Sequence, residues 1–386
     1  MDYINLIDVC KINMGQSPDS KSYNDNCDGI PFFQGNADFG ERYPVTRVWC
    51  NAPTKIANPN DILISVRAPI GALNFASERC CIGRGLAAIT PDTRKVSVEF
   101  IYWLLKGKTA ELNSKGTGST FKAISRKVLE ETKVPDISLE QQLKYAAVLE
   151  KIYALINYRK QQLTKLDELV KARFVEMFGE PIDNPMGWQI KPLKELSTLI
   201  TNGNTPKGGS ENYVDSGIIF LRSQNVWRNR IDLSEVAYID EATNQKMRKS
   251  IVKHKDILIT KTGRINTENS SLGRAALYLG EDDSANINGH VYLVRLNDSV
   301  IPEFVVTILT GEAYRKYIRK VCVGGIDKRQ INLDQVEDFP IILPPIEQQK
   351  AFAAFSNQTN KSKVAVQKAL DEAQLLFDSL MQEYFG

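Results

Sequence analysis

Two stretches of the chain carry a long-period hydrophobic pattern, and both run for about 40 residues, beyond the length of an ordinary globular helix. In the first, Leu149, Ile156, Leu163, Val170 and Met177 recur every seven residues, flanked by Ile152, Leu166 and Phe174. Neither Pro nor Gly interrupts it from Ser138 to Phe178, and Gly179 and Pro181 supply the stop. Ser138 with Gln141 three residues on has capping-box spacing at the start. Such a helix is ~60 Å long at 1.5 Å per residue. The second stretch runs from Ile346 to Phe385 after Pro344-Pro345. Its apolar or small positions are Phe352, Phe355, Thr359, Ser362, Val366, Ala369, Ala373, Leu376 and Leu380, with steps alternating three and four. That is the coiled-coil period. The two helices are expected to bury these seams against each other as an antiparallel strut.

The remaining sequence reads differently. Short apolar runs such as Asp61–Val66, Ile218–Leu221 and Ile257–Ile259 are separated by dense Gly, Pro, Asn and Asp, the pattern of short strands and turns. It is also duplicated. Gly15-Gln16-Ser17-Pro18 followed by Gly29-Ile30-Pro31-Phe32-Phe33-Gln34-Gly35-Asn36 returns 188 residues later as Gly203-Asn204-Thr205-Pro206 followed by Gly217-Ile218-Ile219-Phe220-Leu221-Arg222-Ser223-Gln224-Asn225. Asp61-Ile62-Leu63-Ile64-Ser65 recurs at an offset of 195 as Asp256-Ile257-Leu258-Ile259-Thr260. Glu99-Phe100 recurs at 204 and Glu140-Gln141-Gln142 at 207. The order is kept and the offset grows slowly, as loop insertions produce. The expected architecture is α+β: a mixed domain over 1–134, a central helix in 135–180, a second mixed domain over 181–343 and a C-terminal helix in 344–386.

Composition narrows the class. The 386 residues are 42 % apolar and 25 % charged, with a net charge of +3. Residues 1–135 carry 17 basic and 14 acidic side chains, whereas 136–180 carry 7 of each. The helices are therefore neutral, which suits protein contacts, and the first mixed domain is mildly basic, which suits DNA. No stretch of about 18 uncharged apolar residues occurs, and the first 20 residues lack a basic region leading into an apolar one, so neither a membrane span nor a secretory leader is expected. Cys10, Cys27, Cys50, Cys80, Cys81 and Cys322 show no metal-binding spacing, and His254 and His290 are the only histidines. A zinc cluster and a disulfide framework are both unexpected, and a reduced cytoplasm fits best.

No catalytic constellation emerges. The chain has no GxxxxGK[ST] phosphate loop and no GxGxxG, and the nearest approach to an Asn-Pro-Pro-aromatic methyltransferase signature is Asn184-Pro185-Met186-Gly187. Glu131 and Lys133 could be forced into a nuclease pattern, but so loose a match arises by chance. No metal site and no cofactor site is expected.

Recognition remains. The turns of the first half carry Gln16, Ser17, Lys21, Tyr23, Gln34, Asn36 and Arg67; those of the second carry Asn204, Lys207, Arg222, Gln224, Asn225, Lys261 and Arg264. Arg and Lys pair with guanine edges, Asn and Gln with adenine, so such loops could read bases; Tyr23, Tyr213 and Trp227 add flat apolar surface. The same residue types also build turns and cores. Before each long helix lies a glycine-rich loop, Gly116–Ile124 with Lys122 and Val323–Ile331 with Lys328 and Arg329, which could approach a phosphate backbone or simply turn the chain.

These pieces resemble the specificity subunit of type I restriction-modification systems, over the whole chain. The carriers are the tandem plan, the G-x-[ST]-P and G-I-P-F-F-Q-G-N opening, Asp61-Ile-Leu-Ile-Ser with Arg67-Ala-Pro-Ile-Gly71, and Pro-x-x-x-x-Glu-Gln-Gln before each long helix. The second half departs where Lys261-Thr262-Gly263-Arg264 replaces Arg67-Ala-Pro-Ile-Gly71. The resemblance implies two target-recognition domains separated by a helical ruler, a bipartite asymmetric site in double-stranded DNA, and no catalysis by this chain. It further implies two modification subunits carrying S-adenosylmethionine, and restriction subunits using ATP and Mg2+. Two other readings remain open at this point: a self-sufficient methyltransferase or endonuclease with diverged motifs, and a coiled-coil adaptor that never touches DNA.

Overall fold

In the computed structural model, which describes residues 2–118, 122–206, 208–267 and 269–386, the chain forms two compact units. The first comprises residues up to 161 together with 367–386, the second residues 162–366. Each therefore contains a mixed α/β body, half of the central helix and half of the C-terminal helix.

The sequence duplication is a duplication of topology. The first unit has an antiparallel four-stranded sheet in the order Cys10–Met14, Leu86–Pro91, Ile62–Ser65, Leu73–Phe75. In the second unit the order is Ser197–Asn202, Val291–Leu296, Ile257–Thr260, Ala275–Leu277. A further sheet in each unit is built on a parallel pair, Ile30–Phe33 with Cys80–Ile82 and Ile218–Leu221 with Ala285–Ile287. Each body is tied off by a short antiparallel pair, Tyr3–Asn5 with Lys133–Pro135 and Ile190–Pro192 with Pro340–Ile342. The central strands are apolar at successive positions because both faces are covered. Ile62 and Ile64 enter one core and Leu63 another, as do Ile257 and Ile259 against Leu258.

The repeated motifs now have physical causes. A Cβ on Gly15 would lie 2.2 Å from the Gly83 carbonyl oxygen, and one on Gly203 would lie 2.0 Å from that of Ile287. Only glycine lets the chain cross there. The second Gln of each Glu-Gln-Gln is a buried clamp. Gln142 Oε1 accepts from Ser97 N–H at 2.9 Å while its Nε2 donates to Ile137 O at 3.0 Å; Gln349 does the same with Ile301 N–H at 3.1 Å and Pro344 O at 2.8 Å. Ser97 and Ile301 immediately precede the helices Val98–Gly107 and Pro302–Thr310, so each clamp locks a long helix to a short one.

The long helices run Leu139–Phe178 and Ile346–Phe385, and Ser138 Oγ caps the first by accepting from Gln141 N–H at 3.3 Å. They pair antiparallel within each unit. In the first, the rings of Tyr145 and Tyr384 stack at 3.7 Å, and Trp103 meets Tyr153 and Phe377 edge-on at 5.3 and 5.6 Å. In the second, Phe352 packs on Phe174 and Phe178 at 5.3 and 5.8 Å, and Lys363 pairs with Asp167. Leu149, Ile156 and Phe352 are buried; Leu163, Val170, Met177, Phe355, Val366 and Leu380 are half-buried. Two expected seam positions point outward: Ser362 is exposed and Leu376 is 51 % exposed. The seam runs Phe352, Ser356, Thr359, Lys363, Val366, Leu370, Ala373, Phe377, Leu380, Tyr384, so every second expected position was one residue early. The larger aromatics Phe377 and Tyr384 take the interior and turn Leu376 outward.

All six cysteines are free thiols and only Cys27 is exposed. Among the described residues no helix is long and apolar enough to cross a membrane, and no cluster of metal-ligating side chains occurs.

Candidate nucleic-acid interface

In the first unit, the strand Ile30–Phe33 ends in a turn held by Asp38, whose Oδ2 accepts from the N–H groups of Gln34 at 2.7 Å and Gly35 at 3.3 Å. The turn presents Gln34 and Asn36. The neighbouring strand ends where Ser65 Oγ donates to Arg67 O at 2.8 Å, and Val66 N–H and Ala68 N–H bond Gly85 O and Lys122 O. Between these turns lies a groove of about 230 Å³ lined by Gln34, Asn36, Ser65, Arg67 and Arg84. Both guanidinium groups are exposed and neither pairs with a carboxylate among the described residues. Two unneutralised cations beside two side-chain amides form a place for an anion flanked by hydrogen-bonding edges.

The second unit builds a related groove at the equivalent turns, although here one of the two arginines, Arg264, pairs with Asp327 at 3.4 Å. Asn225 organises the first: its Oδ1 accepts from Arg222 N–H at 3.0 Å and its Nδ2 donates to Asp232 O and Glu235 O at 3.1 and 3.0 Å. This leaves Ser223 and Gln224 facing a groove of about 370 Å³ lined also by Trp227, Arg264, Asn269, Ser270 and Arg274. The Arg274 guanidinium lies 4.0 Å from the centre of the Trp227 ring, and its Nε and Nη2 donate to Ser270 O at 3.0 Å and Asn269 O at 2.5 Å. Burial, with the charge of nearby Arg228 as a second cause, pushes its pKa below the usual arginine value. Trp227 stays 36 % exposed beside it. No carboxylate lines either groove among the described residues, whereas three other clefts each contain Asp or Glu.

Of the residues singled out from sequence, Gln34, Asn36 and Arg67 converge on the first groove, and Gln224 and Arg264 on the second. Ser17 supports from behind, its Oγ accepting from Arg84 N–H at 3.3 Å. Gln16, Lys21, Lys122 and Asn204 are exposed outside the grooves, although the Lys122 carbonyl fixes the Arg67 loop. Lys328 and Arg329 lie on a strand that pairs with Thr262–Arg264. Lys207 lies outside the described residues.

Four of the residues singled out are engaged within the fold. Tyr23 stacks on Phe32 at 4.6 Å and donates its hydroxyl to Pro18 O at 2.9 Å, so it holds a sheet together. Asn225 is buried with both ends of its amide used. Arg222 is half-buried, donates to Glu235 O at 3.3 Å and sits 5.8 Å from the Tyr213 ring. Lys261 is not the counterpart of Arg67. Its N–H bonds His290 O and its carbonyl accepts from Ile331 N–H, as Val66 does with Gly85 and Ile124, so Thr262 takes the place of Arg67 and Lys261 lies 5.7 Å over Tyr292. Arg84 and Arg274 were missed. Arg84 has Gly289 in its place in the second half, so the repeat does not flag it; its setting between Gly83 and Gly85 was the available signal.

A family profile described as type I restriction modification DNA specificity domain matches residues 1–168 and 185–372. The chain belongs to this family. The matched segments take in both grooves, both clamps and parts of both long helices. Among members, the type I restriction enzyme MjaIX specificity subunit of Methanocaldococcus jannaschii is 25 % identical over 331 residues, 79 % of this chain and 72 % of that relative. The EcoBI specificity subunit of Escherichia coli is 20 % identical across 98 % of this chain and 83 % of its own length. The MjaX specificity subunit of M. jannaschii is 42 % identical over 161 residues, only 42 % of this chain and 38 % of that relative. The crystal structure of a type I restriction-modification S subunit from M. genitalium superposes with a TM-score of 0.63 at 13 % identity, covering 100 % of this chain and 96 % of that one. A chain from a study of complex assembly and conformational transition of the type I R-M system gives 0.56 at 17 % identity, covering 100 % and 97 %. These two likenesses establish the fold.

Proposed function

We propose that this chain is the sequence reader of a type I restriction-modification complex and takes no part in bond making. Each unit reads one half of a bipartite site in double-stranded DNA through its groove, and the paired helices fix the spacing between the halves. The observation that carries this reading is the recurrence, at equivalent turns of two diverged halves, of a groove with two arginines, side-chain amides and no described carboxylate. An enzyme's cleft would bring together acids, bases or nucleophiles; among the described residues these bring together donors in fixed planes, with side-chain acceptors on amides and hydroxyls. Because the lining differs, Gln34, Asn36, Arg67 and Arg84 against Gln224, Trp227, Arg264 and Arg274, the two half-sites differ in sequence. Two modification subunits supply adenine methylation with S-adenosylmethionine, and restriction subunits supply ATP- and Mg2+-dependent cleavage. Exposed apolar positions on the neutral helices, such as Leu143 and Leu375, are surface for those partners.

The chain co-purified with its modification subunits provides the test, in competition binding between duplexes. Exchange of residues 1–134 for those of a relative alters selectivity in one half-site alone and leaves assembly intact. A change in both half-sites refutes the assignment of one reader to each half.

A further inference from the structure

The most exposed large apolar side chain among the described residues is Ile326, at 90 %. It sits at the tip of a hairpin in the second unit. Val323–Gly324 pairs with Lys328–Gln330, Gly325 N–H closes the turn on Lys328 O at 3.1 Å, and Lys328–Gln330 pairs on its other side with Thr262–Arg264. The base of the hairpin is anchored by buried Ile331, whose carbonyl accepts from the Tyr292 hydroxyl at 2.8 Å. The tip is therefore held firmly while its side chain is left in water.

Its surroundings are cationic. Among the described residues the one acid at the tip, Asp327, is occupied by Arg264 at 3.4 Å; the Arg329 Nε donates to Gly325 O at 3.2 Å; and the Lys328 ammonium is exposed and meets no carboxylate among the described residues. Arg264 also lines the groove with Gln224, Trp227 and Arg274. An apolar tooth accompanied on the hairpin by Val323, 40 % exposed, within a basic collar is a poor protein-docking face, which needs a contiguous patch of several hundred Å². Duplex DNA offers the complementary surface, an apolar base stack between two rows of phosphates, and Ile is among the side chains that wedge between base steps.

We propose that Ile326 enters the base stack of the duplex next to the second groove, with Lys328 on the flanking phosphate. The wedge rests on the DNA-reading function proposed above. By opening one step it lowers the cost of taking a neighbouring base out of the helix.

The test uses the full chain in complex with its modification subunits, and duplexes of its methylated site carrying 2-aminopurine at successive positions through the second half-site, the methylated adenine excepted. The wild-type complex brightens one position. Ile326→Ala abolishes that signal and weakens binding about ten-fold, the loss for removing partly buried carbons. Lys328→Ala keeps the signal and lowers the salt dependence by about one counterion. Specific binding by the wild type with no brightened position, or an Ile326→Ala complex with signal and affinity intact, overturns the wedge and leaves DNA reading standing. Loss of modification subunits from the Ile326→Ala complex makes the tip a protein contact and overturns it too. Failure of the wild-type complex to bind any duplex removes the DNA-reading function itself.

Discussion

Arg84 and Arg274 line equivalent grooves, yet their removal should have opposite signatures. Arg274 is 8 % exposed and holds the loop after Arg264 by donating to the carbonyls of Asn269 and Ser270 while stacking on Trp227. Arg274→Ala loses two charge-assisted hydrogen bonds worth together ~3 kcal/mol at the low end of their range, and a partly desolvated cation–π stack worth ~1 kcal/mol. Relief of the buried charge returns about 1–2 kcal/mol, which leaves a net loss near 2–3 kcal/mol, confined to the second unit. The neighbouring turn should open with it. Hydrogen exchange followed by mass spectrometry then shows faster exchange around residues 262–277 and an unchanged first unit, and reading of the second half-site degrades. Arg84 is exposed and its guanidinium has no partner among the described residues, so Arg84→Ala should shift stability by no more than about 0.5 kcal/mol. Selectivity at the first half-site should nevertheless fall by roughly 1–3 kcal/mol, about 5- to 150-fold. Arg274→Lys should not rescue, since an ammonium cannot both stack flat and span two carbonyls. An Arg274→Ala protein of wild-type stability, or an Arg84→Ala protein destabilised by 2 kcal/mol or so, refutes this division between a groove-building and a groove-presenting arginine.

Three further outcomes follow from the fold. Gln142→Ala and Gln349→Ala each strand a backbone N–H, at Ser97 and Ile301, and should each cost about 1–3 kcal/mol in denaturant unfolding, in the first and second unit respectively. Phe377→Ala should cost about 3–5 kcal/mol and Leu376→Ala under about 0.5 kcal/mol, a contrast measured by thermal unfolding that would vanish if the heptad phase were the other one. Burial pushes the thiols of Cys10 and Cys80 up to about 12, so at pH 8 they are protonated as well as inaccessible. Iodoacetamide in native buffer should alkylate Cys27 alone, seen as a single mass increment, and all six cysteines in denaturant.

The duplication and the paired helices were legible because they rest on periodicities sustained over many residues, which a few ambiguous positions do not erase. Phase was less legible than period. At 355/356, 369/370 and 376/377 both alternatives offer an apolar or small residue, and only the bulk of Phe377 and Tyr384 in three dimensions decides which faces inward. The grooves were half legible. Gln34, Asn36, Arg67 and Gln224 follow the ends of apolar runs, where strands give way to turns. Asn225 shares that position and residue type with them but is consumed by three hydrogen bonds that join segments up to ten residues apart. Thr260-Lys261 and Val66-Arg67 look alike by charge, whereas backbone pairing gives Lys261 in the second unit the position that Val66 holds in the first. Arg84 and Arg274 escaped because each belongs to one half only, and a search guided by the repeat favours what the halves share. The residues that should distinguish the two half-sites are those where the halves diverge.

The most direct test is a genome-wide map of adenine methylation in cells carrying this chain and its modification subunits, set beside cells with Arg67→Ala and Arg84→Ala combined and cells lacking this chain alone. The account predicts a two-part asymmetric motif that disappears without the chain and becomes degenerate in one half only in the double variant. A motif that persists without the chain would contradict the account, as would one whose two halves relax together in the variant.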